Sequence, residues 1–150
     1  PQQIVAAQQQ LVTRGAEFGI DYRFDQALTT NTRAAHRLTH FAKAHGKQRE
    51  IVQRLFVAYF TDGLNIGDVT TLADLAAEVG LDRDAALVAL TTDAYAQDVD
   101  RDITLARQLG ISGVPFFVFN GKYAVSGAQP VEAFTEVLTQ AWNDADATSS

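Results

Sequence analysis

Cysteine is absent from the 150-residue chain, and that absence excludes disulfides, thiolate metal sites and cysteine nucleophiles within these residues. Basic residues are in short supply: 12 Lys and Arg stand against 18 Asp and Glu, for a net charge of −6. Non-specific attraction to nucleic acid or anionic lipid is therefore disfavoured, and neither nucleic acid nor membrane is expected as a partner. No apolar run approaches the roughly 20 residues that span a bilayer. Residues 1 to 20 also lack the charged start and apolar middle of a signal peptide. Because Pro1 is not an initiator methionine, the true start is expected to lie elsewhere. There is no P-loop, dinucleotide glycine pattern or Gly-x-Ser-x-Gly elbow.

What the chain does have is apolar material enough for one globular unit, 47% of its residues. Gln2 to about Gly19 carries Ile4, Val5, Leu11, Val12 and Phe18 at mixed helical spacing, with Gly15 as a point of interruption and Gly19 as a left-handed stop. Ile20, Tyr22 and Phe24 then alternate with Asp21, Arg23 and Asp25, the period of a half-buried strand or an extended loop. Thr30 or Asn31 is placed to cap a helix through Ala44, whose apolar face is Ala34, Ala35, Leu38, Phe41 and Ala42. Ile51, Val52, Leu55, Phe56, Tyr59 and Phe60 form one broad stripe on the following helix, read as core. Gly80 and Asp82 divide "DVTTLADLAAEVGLDRDAALVAL" into two short helices. A longer helix from about Asp93 to Leu109 is expected to turn Tyr95, Val99, Ile103, Ala106 and Leu109 inward.

The stretch "GVPFFVFNGKYAVSGAQP", residues 113 to 130, is a hairpin by its chemistry. Asn120-Gly121 can take positive φ at both positions of a type I′ turn, between Phe116–Phe119 and a return strand along Lys122 to Val125. Phe116 to Phe119 offers apolar groups to both faces, the pattern of a central strand with two neighbours. Only one neighbour follows it. Pro130 suits the start of a last helix with Phe134, Val137, Leu138 and Trp142 inward, and the tail "NDADATSS" is expected to fray.

The blocks "NTRAAHRLTHFAKAHGKQ", "LFVAYFTDGLNIGD", "LADLAAEVGLD" and "GISGVPFFVFNGKYAVSGAQP" resemble, in order and spacing, the FrnE subgroup of DsbA-like thioredoxin-fold oxidoreductases. The resemblance implies an α/β fold: the C-terminal β-hairpin and helix of a thioredoxin-like domain, about residues 111 to 142, with a large all-helical insertion, about 31 to 109. Residues 1 to 150 then make a single domain that is N-terminally incomplete. Its β-α-β half, with the Cys-x-x-Cys, is expected upstream of Pro1, so no catalytic residue falls in this chain and the fragment alone is expected to be inactive.

The same resemblance marks three substrate-side positions. Pro115 matches a family proline whose preceding bond is cis and lies against the thiols, and Val114 would offer its main chain to a substrate peptide. His36 matches a histidine facing the active-site cleft. Read without the resemblance, Pro115 is a proline entering a strand, and His36 with His40 is a solvated or hydrogen-bonded pair one helical turn apart. No metal is expected, because His36, His40 and His45 lack the ligand set of a three- or four-ligand site. No cofactor is expected either. Asn31 is better explained as a cap than as a catalytic amide, and Asp98, Asp100 and Asp102 as a solvated acidic stretch.

The expected function of the complete protein is thiol-disulfide exchange with a protein or small disulfide, in the cytoplasm. One alternative is a glutathione-dependent isomerase or transferase of the 2-hydroxychromene-2-carboxylate isomerase or kappa type, distinguished by a serine in the upstream motif. Another is a non-catalytic module that forms a homodimer through the 114 to 119 strand edge.

Overall fold

The structure, a computed structural model, describes the backbone of residues 2–148 and the side chains of residues 3–145. In chain order the elements are α1 (Gln2–Glu17), α2 (Arg33–Ala44), α3 (Gln48–Phe60), α4 (Val69–Glu78), α5 (Arg83–Thr91), α6 (Ala96–Gln108), β1 (Phe116–Phe119), β2 (Tyr123–Ser126) and α7 (Val131–Thr148). They fall into two compact units, whose boundary lies inside α6 between Arg101 and Asp102.

In the helical unit, α2 to α5 close a core in which Leu38, Ile51, Leu72 and Leu75 are fully buried. Local chemistry sets the helix ends. Asp68 accepts from the Thr71 amide at 2.7 Å to start α4, and Asp82 accepts from the Ala85 amide at 2.7 Å to start α5. Gly80, at φ +84°, ends α4 in the left-handed region that costs glycine nothing. Arg37 of α2 reaches the open carbonyls at the end of α5, donating to Ala89 at 2.6 Å, Leu90 at 3.3 Å, Ala94 at 2.8 Å, and also to Thr92. Arg54 of α3 bridges Asp62 and Glu78. Its guanidinium is held above the ordinary arginine range, chiefly by the hydrogen bond to Glu78.

Several expectations are corrected here. The residue before α2 is Thr32, not Thr30 or Asn31, and its side chain makes no cap bond. Asn31 instead accepts from the Arg33 amide at 2.9 Å. α1 runs unbroken through Gly15, where an added Cβ would sit 2.6 Å from the Tyr22 ring, so the glycine serves a close approach and not a break. Of the two readings for residues 20 to 26, the extended loop holds and the strand does not: they form an extended loop and turn, tied to the end of α3. The Arg23 amide donates to the Phe60 carbonyl at 2.7 Å, and the Thr61 hydroxyl to the Asp21 carbonyl at 2.8 Å. α6 begins only at Ala96. Tyr95 precedes it at φ +60°, and along α6 Val99 is buried whereas Ile103 and Leu109 are exposed.

In the C-terminal unit, β1 and β2 pair antiparallel from Phe116↔Ser126 to Phe119↔Tyr123. Asn120 and Gly121 lie at φ +52° and +66°, and this register leaves Lys122 in the loop rather than in the return strand. α7 packs on one face, where the Phe134 ring meets Phe117 edge-on at 4.9 Å and Val125 and Ala141 are buried. Asn120 donates to the Ala141 carbonyl at 3.0 Å, and Lys122 and Tyr123 both donate to the Asp144 carboxylate. These contacts hold helix through the segment expected to fray, as far as Thr148. Ser149 and Ser150 lie outside the described residues. The inward side of α7 is Phe134, Val137 and Ala141, whereas Leu138 and Trp142 are exposed. Among the described residues β1 is flanked on one side: the sheet order is β1-β2, and Phe117 and Val118 remain 39% and 40% exposed.

Candidate functional site

The two sets of residues singled out in the sequence fall in different units. At the entrance to β1, Val114 is 90% exposed and the Val114–Pro115 peptide bond is cis. Pro115 is fixed from the other strand, its carbonyl accepting from the Gly127 amide at 2.8 Å. The β ladder begins one residue later, at Phe116, so Val114 stays outside it. Among the described residues no hydrogen bond engages the Val114 amide or carbonyl. The main-chain donor and acceptor of Val114 lie in the bend at residues 113 to 115, beside an anchored proline and open to solvent, directly before the chain becomes extended at Phe116.

His36 lies in the helical unit, on the mouth of a cavity of about 450 Å³ between α2 and α3. The opposite wall is Phe56, Tyr59 and Phe60, with Ile66 beyond. The stripe read as core divides: Ile51 and Leu55 are buried in the core, whereas Phe56, Tyr59 and Phe60 line an open space, and Phe56 is 60% exposed. The missed signal lies on α2 and the residue before it: Thr32, Ala35 and Thr39 are small groups on the face turned to the aromatics. Two faces can both be apolar and still leave volume between them when one carries only small side chains.

The other histidines do not join His36. His45 Nδ1 is 2.8 Å from the Phe41 carbonyl, with its ring centroid 4.3 Å from that of Phe41, and neither His45 nor His40 lines the cavity. Among the described residues no group of three His, Cys, Asp or Glu is placed to hold a metal ion. The acidic stretch is ion-paired at the surface, Asp98 to Arg101 and Asp100 to Arg33. Shifted carboxylates lie away from both sites. Asp144 is held below the ordinary range by Lys122 first and Tyr123 second, and Asp68 by the Thr71 amide and hydroxyl at the start of α4.

A β-hairpin closed by a helix, with a proline entering the first strand and an all-helical unit preceding them in the chain, matches the DsbA-like thioredoxin fold with its helical insertion. The chain belongs to the DSBA-like thioredoxin domain family, whose model matches residues 1–139. It is 37% identical over 102 residues to the uncharacterized protein YwbO of Bacillus subtilis (strain 168), an alignment covering 67% of this chain and 50% of that protein. It is also similar to the crystal structure of a probable DsbA oxidoreductase from Streptomyces coelicolor, with a TM-score of 0.87 and 38% identity. That match covers 95% of this chain and 62% of the other. The chain thus spans half the length of its curated relative and about three-fifths of its structural one. At the level of the family, the function is of the thiol-disulfide oxidoreductase type.

Proposed function

We propose that the whole protein is a cytoplasmic thiol-disulfide oxidoreductase of the FrnE subgroup, acting on a protein or small disulfide, with its thiol pair contributed by residues other than these. The observation that carries this reading is the exposed, unpaired main chain of Val114 at the mouth of β1, in a chain of this family. In the reaction a thiolate of the protein attacks one sulfur of the substrate disulfide, and the other sulfur leaves as a thiolate. The second thiol of the pair then attacks the mixed disulfide and releases the substrate as a dithiol. Two electrons pass from the protein thiols to the substrate, and the protein is left with the disulfide. Val114 orients the substrate by pairing with the chain beside its cysteine, and Pro115 fixes Val114 in place.

The test uses the full-length protein, a peptide disulfide and excess dithiothreitol, which returns the protein disulfide to the dithiol, with the uncatalysed rate subtracted. Turnover is expected, and N-methylation of the substrate amide that pairs with Val114 lowers kcat/KM by about tenfold, the equivalent of one main-chain hydrogen bond of about 1 to 1.5 kcal/mol. Absence of disulfide exchange, together with glutathione-dependent isomerisation, would replace this reading with the isomerase one. The sheet order β1-β2 leaves the second edge of β1 without a strand in this unit, which supports a second proposal: that edge pairs with the same edge of a second copy. Light scattering of the full-length protein tests it, and a strictly monomeric mass removes it.

A further inference from the structure

We propose that the cavity between α2 and α3 is a binding site for an uncharged aromatic molecule carrying a carbonyl or similar hydrogen-bond acceptor. Its volume, about 450 Å³, falls within the roughly 300 to 1,000 Å³ of small-molecule sites. No Asp, Glu, Lys or Arg lines it, and His36 stands exposed at its mouth, so an ionised group inside would lose its hydration without a fixed counter-charge. The wall is aromatic and already fixed. Phe60 meets Tyr59 edge-on at 4.8 Å, and behind it Tyr22 and Phe24 hold the ring at 5.5 and 6.1 Å. A flat ring entering this space finds edges and faces in the arrangement that aromatic pairs prefer.

The polar groups narrow the class. The Thr39 hydroxyl donates to the His36 carbonyl at 2.7 Å and is already engaged. Among the described residues neither the His36 imidazole nor the Tyr59 hydroxyl has a hydrogen-bond partner. Tyr59 can donate from O–H and His36 from a ring N–H, and one acceptor on the ligand satisfies either or both. An apolar space of this kind is a poor host for water, which needs two to four polar partners. The site stands independently of the oxidoreductase reading, since it needs neither a thiol nor Val114.

The experiment is a fluorescence titration of the full-length protein with prodan, an uncharged naphthyl ketone whose emission moves to the blue in apolar surroundings. A saturable one-to-one signal is expected, with a dissociation constant on the order of 10 μM. Tyr59→Phe and His36→Phe keep the ring and remove the donor, and at least one should weaken binding about fivefold. Thr39→Phe fills the space and should abolish the signal, with circular dichroism confirming the fold. If that variant misfolds, Phe56→Ala removes a wall residue that is 60% exposed and should weaken binding by a similar factor. Affinity unchanged in the donor variants, or in the folded wall variant, overturns the proposal, as does the lack of any saturable signal. Disulfide-exchange activity, present or absent, has no bearing on this result.

Discussion

The two units treat similar apolar sequence in opposite ways. In the helical unit, α2 to α5 are consecutive and supply one another's partners, so Leu38, Ile51, Leu72 and Leu75 lose all contact with solvent. In the C-terminal unit, among the described residues, only Val125 and Ala141 are buried, while Val114, Val131, Leu138 and Trp142 stand half or more exposed. A helix pair can close a core with the next helix along the chain. A sheet of two strands cannot, and is marginal in water until more strands or a second layer cover it. The first unit closes a core from neighbouring helices, and the second leaves most of its large apolar side chains exposed.

The sharpest test sets one large side chain from each unit side by side in denaturant unfolding of the full-length protein. Leu72→Ala, at a fully buried position, should cost about 2 to 5 kcal/mol. Trp142→Ala, at 71% exposure, should change stability by no more than about 0.5 kcal/mol. A tryptophan effect as large as the leucine one would break the comparison and show that the α7 face is covered in the full-length protein. Next in size is Arg37→Met, which keeps the apolar stem but withdraws the donors from the end of α5. A loss of about 1 to 3 kcal/mol is expected, because the carbonyls it serves are partly shielded from water. Asp82→Ala removes the cap of α5 and should cost about 1 kcal/mol by thermal melting.

The smallest effect lies in the C-terminal unit and depends on pH. The Asp144 carboxyl is held below its ordinary range, so its contribution is present above the unfolded-state pKa and fades as pH falls through the folded one. Lys122 is held above its ordinary range, so its share persists until pH rises through that raised value. Asp144→Asn should therefore flatten the acid limb of stability and leave the neutral plateau slightly lower. An NMR titration in which the Asp144 carboxyl turns over at an ordinary value would contradict the pairing.

Most of the helical unit was legible because its punctuation is local. Gly80 and Asp82 separate α4 from α5 with chemistry confined to a few residues, as do Asn120 and Gly121 in the hairpin. Periodicity reports which positions are apolar, and says less about what lies opposite them. Leu138 and Trp142 were assigned inward because they share the helical spacing of Phe134, yet the small Ala141 is what faces β2. Likewise the stripe of Phe56, Tyr59 and Phe60 gave no sign of the cavity until Ala35 and Thr39 were seen across from it. Val114, Pro115 and His36 were marked by resemblance rather than by spacing. For Val114 the structure adds an exposed main chain, and for His36 an apolar cavity.

The loop of residues 20 to 26 ties these threads to a rate. It has no regular structure, yet the Arg23 amide is locked to the Phe60 carbonyl, and Gly63 lets the chain pass so close that a Cβ there would lie 2.9 Å from Gln26 Cβ. Phe60 is also a wall of the α2–α3 cavity. Deuterium uptake at the single amide of Arg23 is therefore expected to be slow while that bond holds, and slower still when the space beside Phe60 is filled.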